Sequence, residues 1–189
     1  MASTDRWLTA TLDSIDGYRR MIDAAVVQLT DDELTQRPAA EVNSVAAILR
    51  HLGGNLRSRW TDFLTSDGEK PDRNRDAEFA DWPGDRASLM AYFDAGWQTM
   101  RDSLAALTAD DLTKKVTIRG EQHSVQQAIV RSITHTSYHV GQIMLVARLV
   151  HDGTWRWLTI APGGSAAHNQ QTWGTAASRG VAGESPRSV

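Results

Sequence analysis

His135 and His139 stand four residues apart in the run HTSYHVGQI, residues 135–143. On a helix that spacing puts two side chains on one face, one turn apart. Both imidazoles can then reach one metal ion, as in helical H-x-x-x-H pairs. On spacing alone a plainer reading competes, with one ring exposed and the other hydrogen-bonded in the core. The neighbours weigh against it. Ile133, Val140, Ile143, Met144 and Leu145 leave little of this helix for solvent, and buried imidazoles need partners. A third histidine, His51, lies in a second helical segment beside Leu52. Three neutral imidazoles plus an open position form the arrangement of a catalytic zinc, or of a nickel or iron site completed by water. We therefore expect His51, His135 and His139 to hold a divalent metal, zinc or nickel first, then iron or manganese. His123, His151 and His168 fall at helix ends or in loops; His151 reads most simply as a charge partner for a helix C-terminus.

Other polar residues are graded against the same background. Asn55 lies one turn after His51, and Gln142 three residues after His139. Each is expected to orient an imidazole or touch a ligand, against an equal case that it is an ordinary polar side chain with no part in the site. Tyr138 is read as packing off the ligand face. Arg57, Arg59, Arg73 and Arg75 could meet an anionic substrate. Asp62, Asp67, Asp72 and Asp76 offer them ion pairs instead, and that reading is preferred. No glycine-rich phosphate loop follows a strand, there is no G-x-S-x-G elbow, and Thr136 stands where H-E-x-x-H requires glutamate.

These residues need a scaffold. A chain of 189 residues is long enough for one self-sufficient core. With no cysteine, disulfides and thiolate ligands are excluded, leaving His, Asp and Glu as the strong donors. A net charge of −3 argues against nucleic acid as a partner. No apolar run approaches the roughly 18 residues of a membrane span. The opening residues 1–6 lack signal-peptide architecture, so the expected address is the cytoplasm.

Helical periodicity marks four long segments. The first runs from about Thr4 to Leu29. A short capped turn follows, with Thr30 and Glu33 as a capping box. The second helix starts at Asn43 or Ser44 and runs through Phe63, with Gly53-Gly54 marking a close neighbour. Residues 66–84 form a long polar connection, of the kind that is functional or mobile. The third helix spans about Asp85 to Leu107, with Leu89, Tyr92, Phe93, Ala95, Gly96, Met100, Leu104 and Leu107 facing inward. A β-like excursion near 115–122 turns at a glycine. The fourth helix runs from about Ser124 to Val150 and ends before Gly153. Residues 29–34 echo 107–112, and each stretch precedes a helix opened by Ser-Val. Two similar helix pairs make an all-α four-helix bundle, expected as one domain over 1–170 with a disordered tail at 171–189.

Residues 135–143 and a histidine on the second helix also resemble the DinB/YfiT-like superfamily of metal-dependent bundle proteins. Residues 47–55, AILRHLGGN, 61–71, TDFLTSDGEKP, and 158–162, LTIAP, are similar to one functionally uncharacterised subgroup. The similarity covers roughly residues 5–170. It implies a metal on His51, His135 and His139, and frequent homodimers. It further implies chemistry like that of the thiol-dependent isomerases and S-transferases of the superfamily, in which the metal activates a low-molecular-weight thiol toward a small molecule. Two alternatives stay open: a non-catalytic metal-binding or stress-response module, and a metal-dependent hydrolase.

Overall fold

In the computed structural model, which describes residues 6–173, four long helices form the expected all-α bundle with a two-stranded excursion. They are α1 (Arg6–Val26), α3 (Val45–Trp60), α4 (Arg86–Ala105) and α5 (Val125–Val150), with a one-turn α2 (Asp31–Thr35) after α1. α3 packs closely along α4 and α1 along α5, while α3–α5 and α1–α4 contacts close the bundle. The compact unit ends at Trp155; a second unit begins at Arg156 and contains α6 (Ser165–Trp173). Residues 171–173 thus belong to a helix, and the rest of the expected tail, 174–189, lies outside the described residues.

The helix starts are set by capping side chains. Ser44, Asp85 and Ser124 each accept a hydrogen bond from a backbone N–H three residues on, which satisfies a donor the helix itself cannot. Thr30 and Glu33 form the expected capping box. Its echo is capped from the other side, with the Thr108 N–H and hydroxyl both donating to Asp111. α3 stops at Trp60, short of the expected Phe63, and the next residues turn through Asp62 at φ 48°. Phe63 still packs on Trp60, with ring centroids 4.5 Å apart.

Leu52, Leu56, Phe93 and Ile129 are among the side chains with no exposed surface; burying one such side chain contributes about 1.5–3 kcal/mol. On α4 the inward face differs from the expected one at two positions. Ala95 is exposed, and Trp97 is buried, because the face must turn toward α3 around Gly96. A Cβ on Gly96 would run into the Gly53 carbonyl, whose carbon lies 2.9 Å from that position. The glycines therefore bring α3 and α4 into backbone contact. Gly96→Ala is expected to cost about 2–3 kcal/mol; an unchanged denaturant midpoint would contradict this close crossing.

The excursion is a hairpin, β1 (Lys115–Ile118) against β2 (Glu121–Ser124). Arg119 and Gly120 both have positive φ, 54° and 78°, the geometry of a two-residue turn that matches strand twist. Asp67 clasps the tip, its carboxylate accepting from the N–H groups of Arg119 at 2.8 Å and Gly120 at 2.9 Å. The Gly68 N–H donates to the Thr117 carbonyl at 2.7 Å. The hairpin thus anchors one end of the 66–84 connection, whose other end carries a 3₁₀ turn, Asp76–Phe79, against α3.

Candidate metal centre

His51 on α3 and His135 and His139 on α5 meet at one point. His135 Nε2 lies 3.2 Å from His51 Nε2 and 3.1 Å from His139 Nε2. One ligand atom from each of the three falls within 4.8 Å of the others. Ligands tetrahedrally placed at ~2.0–2.1 Å from zinc would stand ~3.3 Å apart, close to the two short separations. His51 and His139 are 3% and 4% exposed, so their rings are presented to one another and not to bulk water.

The far sides of the rings settle which nitrogen faces the centre. His51 Nδ1 lies 2.8 Å from Glu78 Oε2, and His139 Nδ1 lies 2.8 Å from the Gln142 side-chain oxygen. Each acceptor fixes the proton on Nδ1 and turns an Nε2 lone pair toward the centre. Protons alone cannot satisfy that arrangement, because a neutral His135 could donate to only one of the two lone pairs. A cation satisfies all three, so the donor set fits a divalent metal. Burial pushes the His135 imidazole down to about 3, helped by the repulsion it would feel from charged His139 and His51. Burial and His51 likewise lower His139 to about 4, against the opposing hydrogen bond to Gln142. Both rings are neutral at pH 7, the form that binds metal.

Glu78 was not singled out in the sequence, and it is the group that joins the long connection to the centre. It is 3% exposed and receives two parallel bonds from Arg73, Nε to Oε1 and Nη2 to Oε2, both 2.8 Å. Burial raises its carboxyl, but the hydrogen bonds and charges of Arg73 and His51 outweigh that and hold it below the usual range. Phe79, the next residue, stacks on the His51 ring with centroids 4.7 Å apart and planes 23° off parallel. Gly54 makes the room: a Cβ there would meet the Glu78 carboxylate and lie 2.8 Å from the Tyr92 hydroxyl. The one outward signal was an acid beside a phenylalanine within an otherwise polar stretch.

A cleft of about 510 Å³ opens on the centre, with His51 and His135 in its wall beside Asn55, Tyr138 and several arginines. Asn55 therefore reaches the cleft, while no hydrogen bond joins it to a ring. Tyr138 does not pack away from the site as expected. It is 54% exposed, with its ring centroid 4.2 Å from that of His139. The expected arginine–aspartate pairing is also mostly replaced. Arg57 does reach Asp72 at 3.5 Å, but Arg73 and Arg59 turn to Glu69 and Glu78, and Asp67 is taken by backbone N–H groups. His151 caps α5 and pairs with Glu33 at 3.2 Å, far from the centre in role.

The family model described as "Protein of unknown function (DUF1572)" matches residues 2–164. The chain belongs to this family. Among solved structures, the DUF1572 chain is similar to one described as the conserved protein of locus from Enterococcus faecalis, with a TM-score of 0.59 and 17% identity over 75% of this chain and 95% of that one. That likeness concerns the fold. No curated protein matches the chain. No described helix is long and apolar enough to cross a membrane.

The titration of the two shifted rings sets a pH dependence. Their folded values lie below the ~6.5 of an unfolded histidine, so the unfolded chain binds more protons at acidic pH. The stability this difference supplies is complete above about pH 6.5 and lost as pH falls toward 4 and then 3. Chelator-treated protein is expected to show a falling melting temperature across that window, and the loss should be reduced in His135→Gln. A flat profile from pH 7 to 4 would contradict neutral, buried rings.

Proposed function

We propose that this chain is a divalent-metal-dependent enzyme of DinB/YfiT type that activates a small thiol for transfer to a small-molecule acceptor. The observation that carries the reading is the three-imidazole cluster with two of its rings, His51 and His135, in the wall of a cleft. Among the described residues no carboxylate joins the three histidines, which leaves coordination positions for a reactant. A structural site would be expected to close with a fourth protein ligand. Hydrolysis would call for a free carboxylate base, and the nearest candidate, Glu78, is committed to Arg73 and His51.

His51, His135 and His139 would hold the ion, zinc or nickel first, with iron or manganese as further candidates. When bound, it supplies Lewis acidity that lowers the pKa of a thiol or water placed beside it. The protein's own contribution is positional. Glu78 and Gln142 keep two rings in the tautomer that directs Nε2 inward. Arg73 keeps Glu78 ionised and aimed, and Phe79 restrains the His51 ring. The cleft, within the ~300–1,000 Å³ range of small-ligand sites, provides space for thiol and acceptor together.

The test is to titrate cobalt-substituted protein with mycothiol and with bacillithiol while following the metal's visible absorption bands. At least one thiol is expected to shift and intensify them, with turnover of an electrophilic acceptor. Unchanged bands with both would remove the thiol-transfer reading.

A further inference from the structure

Five arginines line the cleft beside His51 and His135: Arg59, Arg73, Arg75, Arg119 and Arg131. The acids that pair with them are two, Glu69 and Glu78. Glu78 is consumed by Arg73. Glu69 is divided among three guanidiniums, at 3.2 Å from Arg73, 3.2 Å from Arg119 and 3.8 Å from Arg59. No ion pair joins Arg75 or Arg131 to an acid among the described residues, and Arg75 lies over the Phe79 ring. In a protein of net charge −3, this wall carries an uncompensated positive charge.

Arg59 is the decisive member. Its side chain is 9% exposed, and its Nη1 is buried without a hydrogen-bond partner. The one acid that reaches it stands beyond hydrogen-bonding distance. A buried guanidinium left in this state is costly unless something else meets it. Burial lowers its pKa, Glu69 opposes that, and the charges of Arg73, Arg131 and Arg119 push it further down. The protein thus holds Arg59 with one nitrogen unpaired and its acid, Glu69, at ion-pair but not hydrogen-bond distance. Arg131 stands one turn before His135 on α5, exposed at the same cleft.

We infer that the cleft is a subsite for a small organic oxyanion, a carboxylate or phosphate, received by Arg59 and Arg131 beside the histidine centre. As the substrate class of that centre, this rests on the metal-dependent reading above; as an anion site it stands on the arginines alone. Guanidinium groups suit either oxyanion because their paired N–H donors match its oxygens. The bound group would also place the remainder of the molecule against His135 and Tyr138.

Calorimetric titration with inorganic phosphate and with malonate, on chelator-treated and metal-loaded protein, tests the subsite. Saturable binding of one anion per chain is expected. Phosphate alone, malonate alone or both would support the site and name its preferred oxyanion. Arg59→Met is expected to weaken binding at least ~10-fold, the scale of a lost charge-assisted hydrogen bond. Arg131→Gln, at an exposed position that leaves the core intact, is expected to weaken it several-fold. Arg101→Gln, whose arginine pairs with Asp16, should leave it unchanged. No binding of either anion, or equal affinity in Arg131→Gln, would overturn the inference. Metal content measured on the same samples separates the two readings. Anion binding without metal retention would keep the subsite and remove the centre, and metal retention without anion binding would do the reverse.

Discussion

Replacing Glu78 by glutamine is expected to weaken divalent-metal binding by about 10–100-fold, the usual consequence of removing a carboxylate that orients a ligand histidine. The same change is expected to destabilise the fold by about 1–3 kcal/mol, because it takes the charge from the carboxylate that receives two of Arg73's bonds and leaves that buried guanidinium with Glu69 alone as an acidic partner. The side chains of Arg73 and Glu78 are each 4% exposed, so water cannot replace the lost partner. Glutamine keeps the size of the side chain and can still accept from His51 Nδ1, and the substitution therefore isolates the charge. Chelator competition measures the first effect and denaturant unfolding the second. Affinity within twofold of the parent would show that the Glu78 charge is not what supports metal binding at His51.

Metal itself is expected to stabilise the parent protein strongly. Free ion at 100 times its dissociation constant adds about 2.7 kcal/mol to the folded state. For a chain of this size that corresponds to a rise in melting temperature of roughly 5–10 °C. His135→Ala should abolish the rise, since His135 Nε2 is the atom within 3.1–3.2 Å of both other rings. The variant itself should fold: His135 is only half-buried, and losing it relieves the crowding of three lone pairs. A metal-induced shift that survives in His135→Ala would place the ion elsewhere.

The scaffold was legible because its signals are local. Ser44, Asp85 and Ser124 announce helix starts within a single turn, and Arg119-Gly120 can adopt the left-handed geometry that a tight hairpin needs. The histidine pair on α5 was legible for the same reason, since its spacing is one turn. His51 could be joined to it only by supposing a bundle. Glu78 was not legible at all. It reaches His51 across 27 residues, through a connection with no periodicity, and its position depends on Asp67 clasping the hairpin tip and on the space left at Gly54. Arginine pairing failed for a related reason. Sequence proximity favoured the aspartates, whereas the fold turned those arginines toward Glu69 and Glu78. Ala95 and Trp97 exchanged roles because a backbone contact between Gly53 and Gly96, invisible to hydrophobic spacing, decides which face α4 presents.

Metal content of untagged protein, measured after exposure to equimolar zinc or nickel and removal of free ion, tests the histidine centre most directly. The parent should retain about one ion per chain, and His51→Ala, His135→Ala and His139→Ala should each retain little, while His168→Ala keeps the full amount. A parent that retains none, or three variants that retain as much as the parent, would contradict a metal centre on these residues.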